Sequence, residues 1–174
     1  YYCSNTAKKH ENPDGLRRTA IYLKNKKNIT VDGNGATVIV HGKMTPLLFD
    51  GCENITVKNL TVDYACPTMS EFKVISGSGS EYVIKINDEC LFEIEDNTIY
   101  WHGEENKNGE YYWRDTNSGL KRYIKLFDPI KQQSYDFNRD NLEFESIEQI
   151  DKTTLKVILK NKSITLPVGC IIQS

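Results

Sequence analysis

Between residues 21 and 62 apolar and polar side chains alternate with period two, and the alternation itself repeats. Ile29 and Val31 flank Thr30, and 26 residues further on Ile55 and Val57 flank Thr56. NITVDG at 28 to 33 stands over NITVKN at 54 to 59, and IYLKNKK at 21 to 27 stands over LLFDGCE at 47 to 53. Strict alternation predicts half-buried strands. A fixed period of this size in a strand-rich chain predicts a solenoid, in which each coil buries its apolar face only against the next. Val38 and Val40 flank Ile39, and Leu60 and Val62 flank Thr61, so a second short strand is expected in each coil; Ile21, Leu23, Leu47 and Phe49 supply a third. Three strands per coil, separated by Asn, Asp and Gly, fit a right-handed parallel β-helix, and the spaced leucines of a horseshoe repeat are missing. Stacking then predicts Ile29 against Ile55, Val31 against Val57, and Asn28 beside Asn54 at a corner, where a short amide tolerates left-handed backbone and hydrogen-bonds its neighbour.

After Pro67 the texture changes. FKVISGSGSEYVIKI reads as two alternating strands around a Gly/Ser turn, and TTLKVILK follows LEFESIEQI across an Asp-Lys connection in the same way. Further strands are expected at CLFEIE, NTIYW, RYIKLF and VGCIIQ, and helix start and stop signals are nearly absent. The chain is therefore expected to be all-β, with β-helix coils over residues 1–67 and an antiparallel β-barrel or sandwich over 68–174, interrupted by an irregular loop at 103 to 119. Two coils fall short of the roughly three repeats a solenoid needs to bury a continuous core. Ile55, Val57, Leu60 and Val62 would face water at the open end, so the chain is expected to be the first portion of a longer protein, with the barrel inserted before the β-helix resumes. The alternative is a small two-part protein whose barrel covers the open coil.

Composition narrows the function classes. A chain of 174 residues with 39% hydrophobic content can bury a core, and a net charge of −2 with scattered Lys and Arg argues against a nucleic-acid partner. No apolar run approaches the roughly 20 residues of a membrane span. Tyr1 is neither an initiator Met nor the start of a signal peptide, which reads as processing or trimming. Cys3, Cys52, Cys66, Cys90 and Cys170 are odd in number and lack any CxxC pair, so isolated buried thiols are expected rather than a zinc site or a disulfide framework. With three scattered histidines no metal constellation assembles, and no cofactor is expected.

YYCSN at 1 to 5, the run from Ile21 to Pro46, and ENITVKNLTVDYACP at 53 to 67 together resemble the opening of glycoside hydrolase family 110, the bacterial α-1,3-galactosidases. The most distinctive match is His41-Gly42-Lys43-Met44-Thr45-Pro46, because NITVDGNG alone recurs in many β-helix proteins. FDP at 127 to 129 and Arg139-Asp140-Asn141 are reminiscent of the family's inserted barrel. The resemblance covers residues 1 to 67 and is architectural beyond. It implies a right-handed parallel β-helix interrupted early by a β-barrel, and inverting removal of terminal α-linked galactose from a glycan. It also implies a secreted, periplasmic or cell-surface bacterial protein. The carboxylates assigned to that chemistry in the family fall beyond Ser174 in this alignment, so the catalytic residues are unassigned and whether this chain is itself an enzyme stays open.

Glycoside hydrolysis needs two carboxyls roughly 6.5 to 9.5 Å apart if water is to fit between them. Residues i and i+2 of a strand lie about 6.6 Å apart on one face, which Glu93 with Glu95 and Glu143 with Glu145 satisfy. Alternation explains both pairs more simply, since the acids sit opposite the apolar residues of half-solvated strands. Asp32 and Asp63 read as turn or strand-end residues. The loop around Tyr111, Tyr112 and Trp113 sets aromatic rings among charges, a composition suited to sugar rings. Tyr111, Trp113 and Trp101, with His41 as a hydrogen-bonding group, are the candidate substrate-binding residues; His102 could join them, and Trp113 could equally plug a barrel end. Asn28, Asn54, Asn59 and Asn161 match the glycosylation pattern, but three lie in the repeat where stacking explains them. NGNG and GSGS lack the following helix that phosphate binding requires. A non-catalytic carbohydrate-binding or adhesion module is the competing reading, and a polysaccharide lyase is a third.

Overall fold

In the computed structural model, which describes residues 2–3, 16–116, 124–137 and 142–173, every regular element is a strand and none of these residues is helical. The chain divides into two compact units, Tyr1–Ala65 and Cys66–Ser174.

The first unit holds β1 (Tyr2–Cys3) and β2 (Leu16–Arg17), paired antiparallel, then β3 (Thr19–Lys24), β4 (Lys27–Val40), β5 (Thr45–Asp50) and β6 (Glu53–Tyr64). β3 pairs in parallel with β5, and β4 in parallel with β6. Ile29 stands against Ile55, Val31 against Val57, Ile21 against Leu47 and Leu23 against Phe49, the register read from the 26-residue repeat. Asn28 and Asn54 both adopt left-handed backbone, with φ of 57° and 53°, and the Asn54 amide donates to Asn28 Oδ1 at 2.6 Å.

The third strand expected in each coil is present as β3 and β5, but the second, around Val38 and Val40 and around Leu60 and Val62, is not separate. β4 runs unbroken through it and bends where its pairing with β6 shifts register between Asp32 and Ala36. Gly33-Asn34-Gly35 take up the shift opposite Asn59, and Asn34, Gly35 and Asn59 all have positive φ. Gly33 is required there, because a Cβ would lie 2.5 Å from the Asn59 carbonyl and 2.8 Å from Leu60 Cβ. Each coil thus contributes to two parallel two-stranded sheets, β3–β5 and β4–β6, and no closed β-helix is present among the described residues. Charges cross the ladders in opposite-sign pairs: Lys27 with Glu53 at 2.8 Å, Lys58 with Asp32 at 3.2 Å and Lys24 with Asp50 at 3.9 Å. The inward aliphatics of this unit are only half-covered. Val40 is fully buried, whereas Val57 and Val62 keep 38% and 36% of their surface.

The second unit is antiparallel throughout. β7 (Glu71–Ser78), β8 (Glu81–Ile86), β12 (Ile124–Asp128), β13 (Gln133–Phe137), β14 (Phe144–Gln149), β15 (Thr154–Leu159) and β16 (Ile171–Gln173) form a seven-stranded sheet in the order β13-β12-β16-β7-β8-β15-β14. β9 (Leu91–Glu95), β10 (Thr98–His102) and β11 (Arg114–Thr116) form a three-stranded sheet in the order β11-β10-β9. Both hairpins expected from the sequence are present as β7–β8 and β14–β15. The seven-stranded sheet ends at β13 and β14 without joining them, so barrel closure is absent among the described residues. Its inner face (Phe72, Val74, Tyr82, Ile84, Ile86, Leu155, Val157) shares one core with Ile99 and Trp101 of β10.

Candidate functional site

Alternation along β9 and β10 fixes what the small sheet shows to water. Phe92, Ile94, Ile99 and Trp101 pack into the core, so Glu93, Glu95, Tyr100 and His102 point the other way. The cross-strand register then sets Tyr100 opposite Glu93, and His102 opposite Arg114 at the start of β11. The loop between β10 and β11 folds back through a bridge between Glu105 and Tyr111. This brings Tyr111 onto the same face.

The resulting cluster is tightly bonded. Tyr111 donates its hydroxyl to Glu93 Oε1 at 2.5 Å. Arg114 Nε and Nη2 each donate to Glu93 Oε2 at 3.3 Å, and Arg114 Nη2 reaches Glu95 Oε1 at 2.6 Å. The guanidinium also lies 4.0 Å from the centroid of the Tyr100 ring, a cation–π contact. His102 stacks on Tyr111 with ring centroids 4.0 Å apart and 26° between planes, and its Nδ1 lies 2.9 Å from the Gly103 carbonyl. A carbonyl oxygen only accepts, so that contact places a hydrogen on Nδ1.

The electrostatics follow from these bonds. The Tyr111 hydroxyl, aided by Arg114 and His102, holds the Glu93 carboxyl below its ordinary range. The same hydrogen bond pushes the Tyr111 phenol up. Glu95, then Glu93, raise Arg114 further into its charged form. Glu93 and Glu95 are thus a carboxylate pair clamped on one arginine. A general acid has to keep its proton near neutral pH, and a depressed carboxyl does not. Glu143 forms an ion pair with Lys160 at 3.1 Å, and the pairing slips between Phe144 and Ser146, at Glu145.

The remaining candidates separate. Trp101 is 1% exposed and meets Phe92 edge-on at 6.2 Å, so it belongs to the core and not with Tyr111 on the outer face. Trp113 is half-buried, packs against the core and covers Gly103 so closely that a Cβ there would strike its indole ring. Replacing Trp113 would therefore disturb packing before it disturbed any ligand. His41 lies in the other unit, exposed just past the end of β4. Asp32 serves its turn, accepting from Asn34 N at 3.0 Å and from the Asn59 amide at 3.1 Å; the Asn34 bond is the leading cause of its lowered pKa. Asp128 of the FDP motif accepts from Ile130 N and Lys131 N as a turn former. Arg139, Asp140 and Asn141 lie outside the described residues, as do Tyr1, Ser4 and Asn5 of the opening motif. Cys66, Cys90 and Cys170 are buried free thiols pushed up by desolvation, and Cys52 is a half-buried free thiol. No three His, Cys, Asp or Glu side chains among the described residues converge as a metal site would require.

Arg114 and Tyr100 are the residues that reading the sequence missed in this cluster. The signal for Arg114 was its place beside the Tyr111–Trp113 aromatics, opposite two same-face acids. Only the register shows that they meet.

No protein-family profile matches the chain. Alpha-1,3-galactosidase A of Bacteroides thetaiotaomicron is 35% identical over 104 residues, covering 60% of this chain and 18% of that protein. Alpha-1,3-galactosidase B of the same organism is 34% identical over 149 residues, covering 85% of this chain and 22% of that protein. Alpha-1,3-galactosidase A of Shewanella woodyi is 29% identical over 147 residues, 83% of this chain and 22% of that protein. The chain is a homologue of part of the alpha-1,3-galactosidases. It spans about a fifth of the length of these curated relatives.

Proposed function

We propose that the chain is part of a glycoside hydrolase of family 110, resembling inverting α-1,3-galactosidases that remove terminal α-galactose from glycans. In this reading residues 1–67 are opening coils of a right-handed parallel β-helix and 68–174 an inserted antiparallel β-domain. The observation that carries it is alignment of 85% of the chain, across both units, with 22% of a protein named alpha-1,3-galactosidase B. The half-covered aliphatics of β6 support the same reading, because a further coil is what would bury Val57 and Val62. Its partners are then a glycan substrate and the remainder of a longer β-helix, and its setting is the bacterial periplasm, cell surface or exterior.

The catalytic acids lie outside this chain in this reading. Glu93 and Glu95 are both ion-paired to Arg114, which holds them as carboxylates rather than as a proton donor and its partner. The test is incubation with a terminal α-1,3-galactosyl oligosaccharide. A longer protein that contains this chain releases galactose with inverted anomeric configuration, and the 174-residue chain alone releases none. Turnover by the isolated chain would overturn the placement of the acids. Inactivity of the longer protein would overturn the family reading.

A further inference from the structure

The outer face of β9, β10 and β11 uses only part of its bonding capacity. Glu93 is committed to Tyr111 and Arg114, and Arg114 turns Nη2 to Glu95 Oε1. Glu95 Oε2, Arg114 Nη1 and His102 Nε2 have no bonding partner among the described residues. One ring face of each member of the Tyr111–His102 stack is likewise unused by that stack. Glu95 keeps 55% of its side-chain surface and Arg114 33%, so both side chains are partly open to water.

Resting on the glycan reading above, we propose that this face is a shallow binding site for a neutral pyranose. The chemistry is that of sugar recognition. Glu95 Oε2 accepts from one hydroxyl while Arg114 Nη1 donates to its vicinal neighbour, and the aromatic stack receives the C–H face of the ring. Two carboxylates and the Tyr100 ring already hold the guanidinium in place, so little conformational entropy is lost when a sugar docks. Two carboxylates against one guanidinium leave one negative charge, 1 − 2 = −1, on the pair of ion bridges. Anionic sugars are therefore disfavoured.

The 174-residue chain, isotope-labelled, is titrated with methyl α-galactopyranoside and, separately, with galacturonate, and amide shifts are followed by NMR. Methyl α-galactopyranoside is expected to shift Glu93, Glu95, His102, Tyr111 and Arg114 saturably, with millimolar affinity. Galacturonate is expected to bind more weakly. Arg114→Lys, which loses the planar fork, should weaken binding by about tenfold. If that variant loses the native spectrum, Glu95→Gln, an isostere at an exposed position, gives the same test through loss of its charge. Shifts confined to other residues, no saturable shift up to the solubility of the sugar, or tighter binding of galacturonate would overturn the proposal. Galactose release by the longer protein without sugar binding here removes this site alone, whereas binding here without release there removes only the hydrolase reading.

Discussion

Tyr111 and Glu93 are eighteen positions apart in the chain and meet at 2.5 Å, so each sets the other's titration. The hydroxyl favours ionised Glu93, and the folded-state pKa lies below its value of about 4.3 in an unfolded chain. A depressed carboxyl contributes stability above the unfolded pKa and loses it as pH falls through the folded one. Tyr111→Phe removes the leading cause of the depression. Glu93 should then titrate closer to the ordinary range in a carboxyl-carbon NMR titration. In thermal melts the variant should be less stable than the parent near pH 7, with the gap narrowing below about pH 4. An unchanged Glu93 titration would mean that Arg114, not the phenol, controls this carboxyl. The alternation of β9 already placed Glu93 on the water side in the sequence; Tyr111 and Arg114 arrive from a loop and a third strand, whose register no local pattern specifies.

At the scale of elements, the parallel ladders depend on their asparagine corners. A left-handed residue costs most side chains about 1–2 kcal/mol, and Asn54 offsets this by its amide bond to Asn28. Asn54→Ala should lose both contributions and lower stability by about 1–3 kcal/mol in urea unfolding. Asn54→Gly should lose less, because glycine meets no penalty at positive φ. Equal losses for the two variants would show that the corner is not under backbone constraint. The 26-residue repeat made these corners and the Ile29–Ile55 register legible, because each apolar set can face inward in only one alignment. It did not show that β4 continues through its bend, since Gly33, Asn34 and Gly35 read as a break until Asn59 is seen beside them.

At the scale of the molecule the two units differ in what they bury. The second encloses Phe72, Tyr82, Ile84, Trp101 and Leu155 almost completely, whereas the first leaves Ile39 and Val57 substantially exposed. Hydrophobic stabilisation follows area removed from water, so local opening should concentrate in the first unit. Hydrogen exchange is expected to show β7, β8 and β15 protected far longer than β4 and β6 in this chain, and a longer protein carrying further coils should slow exchange in β6 specifically. Equal protection of both units would show that the first already has a sufficient core.

The sequence by itself determined the all-β class, the parallel stacking of the two repeats and the inward set of each strand, because all three follow from periods of two and 26. It also carried kinship with part of the alpha-1,3-galactosidases, readable from residues 21 to 46 and 53 to 67. Only the tertiary structure decided which aromatics are surface and which are core. Trp101 and Tyr100 are neighbours in sequence and face opposite sides of one sheet, and Trp113 is spent covering Gly103. The cluster around Arg114 was decided there too, because it joins three strands and a loop through long-range register, and such contacts leave no periodic trace along the chain.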